Sequence, residues 1–200
     1  MKRTRYAAIA VAFGAVVVTL GGSQTVQAKE ARAHVLAPLP QITCDNVTGT
    51  VNYSKPFFLQ GTTNAIETSN NIKLGSEGLL HVPCLGDTSG KGIVGGHGSL
   101  VAQKVGNCGN VTVSGVAHIT WTNAQKHDVG TSEITYTAAG PIVDTVILGG
   151  TVTDGNTFLN DEVVNNSIND DNATQTAANC ASSKGVLTQS GGAQLILTTH

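Results

Sequence analysis

The stretch from Leu85 to Gly96, LGDTSGKGIVGG, sets a carboxylate, two hydroxyls and a lysine among five glycines. Two chemistries use such residues. A phosphate-binding loop needs a glycine, four residues, then Gly-Lys and a hydroxyl residue, because backbone amides ring the phosphate while Ser or Thr meets magnesium. Only three residues separate Gly86 from Gly90, and Gly92 stands where the hydroxyl belongs. A serine hydrolase would use Ser89 as nucleophile, His81 or His97 as base, and Asp87 or Asp128 as the group that orients the base. Thr88 interrupts the Gly-Asp-Ser-Gly-Gly order that such a nucleophile favours. The simplest reading of the stretch is a turn whose Gly, Asp and Ser residues tolerate turn dihedrals.

Metal chemistry has two candidate sets. His81, His97, His118 and His127 contain no His-x-His or His-x-x-x-His pair to place two rings together. Asp154, Asn156, Asn160, Asp161 and Glu162, with Asp170 and Asp171 further on, offer oxygen ligands for calcium, but outside the EF-hand register. A solvated loop is expected there, and no cofactor is expected. Aromatic residues make up 4% of the chain, too few for a sugar-stacking platform, and Trp121 is the single tryptophan.

The elements that must position these residues read as strands. In GNVTVSGVAHITWTN, Val111, Val113, Gly115, Ala117, Ile119 and Trp121 share one face, and Thr112, Ser114, His118 and Thr120 the other. Ile134, Tyr136 and Ala138 alternate in the next run. In DTVILGGTVT, Val146, Leu148 and Val152 point one way, with Gly149-Gly150 suggesting a bulge. Turn residues recur at intervals typical of antiparallel sheets, and no helical stripe is evident. The expected fold is all-β: a two-layer antiparallel β-sandwich, immunoglobulin-like or jelly-roll-like, of eight to ten strands, with residues 154–179 forming one strand between long loops.

The cysteines point to an oxidising compartment. Cys44, Cys84, Cys108 and Cys180 are spaced by 40, 24 and 72 residues, without a Cys-x-x-Cys pair. Two disulfides are expected. The pairing Cys44–Cys84 with Cys108–Cys180 is favoured because it closes adjacent subregions without threading. Residues 1–28 have the layout of a signal peptide: a cationic MKRTR, a 15-residue apolar run, and small residues ending at Ala28. The apolar run is short of the roughly 20 residues needed to cross a bilayer. Export, a flexible lead-in over 29–40 and a single domain over 41–200 follow. After cleavage the chain would carry eight basic residues against thirteen acidic ones, which gives no footprint for nucleic acid or an anionic membrane.

Ile42-Thr-Cys44, Val47-Thr-Gly-Thr-Val51, Pro56, Cys84 and Gly115-Val-Ala-His-Ile-Thr-Trp121 together resemble a group of small secreted all-β proteins from actinobacteria. The resemblance implies a sandwich, export and disulfides. It implies no activity and assigns no catalytic residue. The expected function is a secreted, non-enzymatic module that is structural, adhesive or binding, with an extracellular protein or polysaccharide as partner. Its contacts would come from the loops at Leu85–Gly98 and Asp154–Asn179. The alternative is a small secreted hydrolase built on the Leu85–Gly98 loop, with or without calcium dependence.

Overall fold

Alternation of apolar and polar side chains dictates strands with one dry face, and the chain builds a single sheet from them. The computed structural model describes residues 40–164 and 166–199. The expected signal peptide and nearly all of the lead-in lie outside the described residues. The elements are β1 (Pro40–Phe57), β2 (Thr63–Gly75), β3 (Ile93–Asn107), β4 (Asn110–Asn123), β5 (Asp128–Gly140), β6 (Asp144–Gly155), β7 (Glu162–Val163), β8 (Ser167–Asp170), α1 (Ala173–Ala181) and β9 (Val186–Thr198).

Every neighbouring pair is antiparallel, in the order β1-β2-β3-β4-β5-β6, and β9 pairs back onto β1. Between β6 and β9 the short strands β7 and β8 lie end to end. Glu162 faces Thr151 and Ser167 faces Val146 on the β6 side, while Val163 faces Leu197 and Ile168 faces Ala193 on the β9 side. β7 and β8 therefore act as one interrupted stave, and the sheet closes into an up-and-down barrel of eight staves. The all-β antiparallel expectation and both disulfides hold. The layering differs, since one sheet meets itself where two stacked sheets were expected. A strand with one buried face satisfies either arrangement; pairing of the first strand with the last selects closure.

Curling a sheet this tightly needs local bends, and register shifts supply them between Cys44 and Val47, between Ser69 and Ile72, and between Ile93 and Gly95. The bulge expected near Gly149 also occurs, as pairing shifts from Thr137–Gly149 to Ala138–Ile147. It changes which residues face inward. Thr145 and Val152 are buried while Leu148 is 56% exposed, so Leu148 does not share the face of Val152. Gly115 permits close approach of β3 and β4, because a Cβ there would lie 2.3 Å from that of Ala102.

The interior is packed at both ends. Ile42, Leu74, Ile93, Trp121, Val152 and Leu197 form one apolar layer, and Phe57, Ala65, Val111, Ile142 and Val186 form the other. Trp121 is fully buried, and its indole N–H donates to Ser132 Oγ at 2.8 Å. That hydroxyl donates in turn to the Thr157 carbonyl at 2.6 Å, which pulls the β6–β7 loop across this end. Phe158 closes it with an edge contact to Trp121, ring centroids 5.4 Å apart. Outward positions are mostly polar, the reverse of the pattern a bilayer-spanning barrel requires.

Disulfides clamp both ends. Cys44–Cys84 holds the β2–β3 connection to β1, where Thr43 and Leu85 exchange two backbone hydrogen bonds of 2.8 Å. Cys108–Cys180 fixes α1 to the β3–β4 turn. The helix departs from the loop expected over this region. Thr176 and Cys180, one turn apart, are its buried residues, so sulfur anchoring stands in for the apolar stripe that would have announced it.

Replacing Cys108 and Cys180 together by serine releases a closure of 72 residues, which loop entropy values at about 4 kcal/mol. The denaturant midpoint should fall accordingly, and the slope of the transition should rise because the unfolded chain is less compact without the bridge. Equilibrium urea unfolding followed by Trp121 fluorescence measures both.

Candidate binding cavity in the barrel interior

Between the two apolar layers lies a belt in which the inward parity is not kept apolar. On β2 the inward residues Ala65, Glu67 and Ser69 are all buried, and on β3 so are Ala102 and Lys104. Register places Ala65 opposite Lys104 and Glu67 opposite Ala102, so the two charges are diagonal neighbours on adjacent strands. Their side chains are only 5% and 9% exposed, and Lys104 Nζ lies 3.2 Å from Glu67 Oε2. The contact is ionic: no hydrogen bond is aligned on that carboxylate oxygen among the described residues.

The lysine is held from a second side. Its ammonium donates to the Tyr53 hydroxyl at 3.1 Å and lies 4.8 Å from the centre of the Tyr53 ring, a cation–π contact. Tyr53 donates to Gln189 Oε1 at 2.6 Å, and Gln189 Nε2 donates to the Ile142 carbonyl at 2.7 Å. The chain Lys104–Tyr53–Gln189–Ile142 thus links β3, β1, β9 and the β5–β6 turn. Burial, then the negative charges of Glu67 and Asp170, push the Tyr53 phenol well above its ordinary range. Burial and Glu67 likewise raise Tyr136, the inward residue of β5 at this level.

These groups border a cavity of about 170 Å³. Leu100, Ala117, Ile119, Ile134 and Ile147 form much of its wall, and Lys104, Glu67, Tyr53, Tyr136 and Gln189 also line it. Val163, Ile168 and Asn169 also line it, so it reaches the interrupted stave. The arrangement can seat a small apolar body and offer it a few hydrogen-bonding groups. That combination is the general chemistry of a ligand pocket.

The residues singled out in the sequence lie elsewhere. Asp87 and Ser89 do meet, with Ser89 Oγ donating to Asp87 Oδ1 at 2.5 Å. The contact belongs to a turn: the same oxygen accepts from the Ser89 amide at 2.9 Å, and Oδ2 accepts from the Ile93 amide at 2.9 Å. Burial alone would raise the Asp87 carboxyl, but hydrogen bonds from Ser89, Ile93 and Gly92 outweigh it and hold the group below its usual value. No hydrogen bond joins His97 to Asp87 or Ser89 among the described residues, and His97 points outward from β3. His81 contacts the Ser76 carbonyl at 3.0 Å, and His118 pairs with Glu133 at 3.3 Å on the outer face. His127 is exposed in the β4–β5 turn.

The two loops expected to carry contacts are joined by Lys91. Its ammonium donates to the Asn156 carbonyl at 2.8 Å, to Asn156 Oδ1 at 3.1 Å and to Thr157 Oγ1 at 2.7 Å. Asn156 Oδ1 also accepts from the Thr131 amide, so a proposed calcium ligand serves as a structural acceptor. Asp154 caps the Gly155 amide, and burial raises the Asp161 carboxyl. Among the described residues no three His, Cys, Asp or Glu side chains converge on a common point.

Sequence reasoning passed over the belt. Its signal was present, since Glu67 and Lys104 occupy the core parity of their strands. Without knowing that β2 and β3 are neighbours in register, each looks like a lone polar interruption.

No family model matches the chain, and neither a curated protein nor a solved structure matches it.

Two measurements follow. Lys104→Met leaves Glu67 buried without its counter-charge and should cost about 3–5 kcal/mol, whereas adding Glu67→Leu to the same chain should recover much of the loss; urea unfolding of both variants checks this. Tyr53 and Tyr136 are the only tyrosines among the described residues. Both hold their protons more tightly folded than unfolded, so full stability persists below about pH 10 and falls as pH rises beyond it. Phenolate absorbance should therefore appear together with unfolding rather than ahead of it.

Proposed function

We propose that the mature protein is an exported, non-enzymatic binding module that holds a small, largely apolar ligand inside its barrel. Disulfides at both ends support an oxidising compartment, and the signal-like leader supports export. The observation that carries the reading is the cavity of about 170 Å³ bordered by a buried ion pair. Barrels of about eight strands either fill with side chains or leave room for one small ligand. This one fills its two ends and leaves room between them. An apolar cavity of about 150 Å³ is enough to bind benzene, so the space here suits a ligand of similar bulk.

A buried ion pair is weak support for stability, because desolvation offsets most of its attraction. Apolar residues could fill the belt without Lys104 and Glu67. Their place at the wall of the cavity fits a role in orienting a ligand. The surface loops that earlier suggested a protein or polysaccharide partner are mutually tied through Lys91 and carry less of the case.

Titration with benzene, followed by methyl resonances, tests the reading. Saturable shifts are expected at Leu100, Ala117, Ile119 and Ile134, which line the cavity. Shifts confined to outward residues such as Val101 and Leu148, or no saturable shift, would contradict it.

A further inference from the structure

Resting on that reading, we infer that the cavity selects a neutral ligand bearing a single hydroxyl on a compact apolar body, with Glu67 and Tyr136 as the groups that recognise the hydroxyl. The inference follows from which polar groups in the belt are already satisfied. Tyr53 accepts from Lys104 and donates to Gln189, and Gln189 is in turn tied to the Ile142 carbonyl. Glu67 Oε2 is buried and, beyond the Lys104 ammonium 3.2 Å away, has no partner among the described residues, so one of its lone pairs is unused. The Tyr136 phenol lines the same cavity, has no hydrogen bond to another described residue, and feels the Glu67 charge.

Beside the ion pair, Glu67 therefore offers one acceptor and Tyr136 one donor to whatever occupies the space. A hydroxyl matches both from one atom, because it donates through its proton and accepts through its lone pairs. It would give its proton to Glu67 Oε2 and accept from Tyr136. Hydrogen bonds to a charged partner are the stronger kind, which makes Glu67 the main source of selectivity.

Charge excludes the obvious competitors. Lys104 and Glu67 offset each other at the cavity wall, while Asp170, whose charge reaches Tyr53, does not line the cavity. A carboxylate ligand would draw Lys104 away and leave Glu67 unpaired, and an ammonium ligand would do the reverse. Either leaves one buried charge uncompensated, a large penalty. A hydroxyl completes the cluster and leaves the ion pair intact. Size sets the rest, since the volume accommodates about seven or eight non-hydrogen atoms.

The test compares toluene, phenol, benzoate and benzylammonium by calorimetric titration into the full mature chain, with Tyr136→Phe and Glu67→Gln alongside. Phenol is expected to bind roughly tenfold or more tightly than toluene, and both ions more weakly than toluene. Tyr136→Phe keeps the ring and should reduce the ratio of phenol affinity to toluene affinity. Glu67→Gln should reduce that advantage further; if that variant does not fold, Tyr136→Phe decides the matter alone. Equal affinity for phenol and toluene, or preference for an ion, overturns the inference but leaves an apolar cavity that binds ligand. Failure of every probe to bind overturns the cavity reading itself, and the inference with it.

Discussion

The ladder between β1 and β9, running from Ile42–Leu197 to Asn52–Thr188, joins the first strand of the barrel to the last. Without it, two edges would expose unpaired amides and carbonyls, and the inward side chains would face a trough open to water. With it, every long strand has partners on both sides, and inward becomes a common direction for residues as distant in sequence as Tyr53, Tyr136 and Gln189. The belt, its cavity and its ion pair exist only because of this closure. Loop closure over so long a separation is entropically costly, and the two disulfides relieve part of that cost near each end of the barrel.

Closure also explains why the interior is not uniformly apolar. The end layers are wide enough to be filled by Trp121, Phe57 and branched residues, and each is capped, one by Phe158 and the other beside the Cys108–Cys180 bridge. Midway, glycines reduce the bulk: Gly49 faces Gly191 across β1 and β9, and Gly115 admits close contact of β3 and β4. Small residues beside long polar ones leave space at a level where Glu67 has unused hydrogen-bonding capacity. Packing thus leaves the cavity at the same height in the barrel as the ion pair.

Much of the fold was legible in the sequence, and its limits have physical causes. Alternation from Val111 to Trp121 and from Ile134 to Ala138 identified buried faces that the barrel uses, and the spacing of the cysteines anticipated their pairing. Closure was not legible, because a period of two states that one face is dry but not what it packs against. The face of β6 was misread at Leu148, where one extra residue reverses the parity. The stave formed by β7 and β8 is too short and interrupted to show alternation, and α1 carries two buried residues in place of a stripe. Of the site, Tyr136 was assigned to its correct face, but Glu67 and Lys104 gain meaning only from the register that places them diagonally. The Leu85–Gly96 stretch drew attention because glycines, a serine and an aspartate mimic catalytic loops, yet the same residues are what a tight turn selects.

The claim on which everything else depends is the pairing of β1 with β9, and nuclear Overhauser contacts between backbone protons report it directly. Contacts linking residues 42–52 with residues 188–197, in the antiparallel register of Cys44–Leu195 and Val51–Gln189, are the result the account predicts. Absence of those contacts, with rapid amide exchange along β1 and β9 as free edges, would contradict it and return the molecule to an open or stacked arrangement with no enclosed belt.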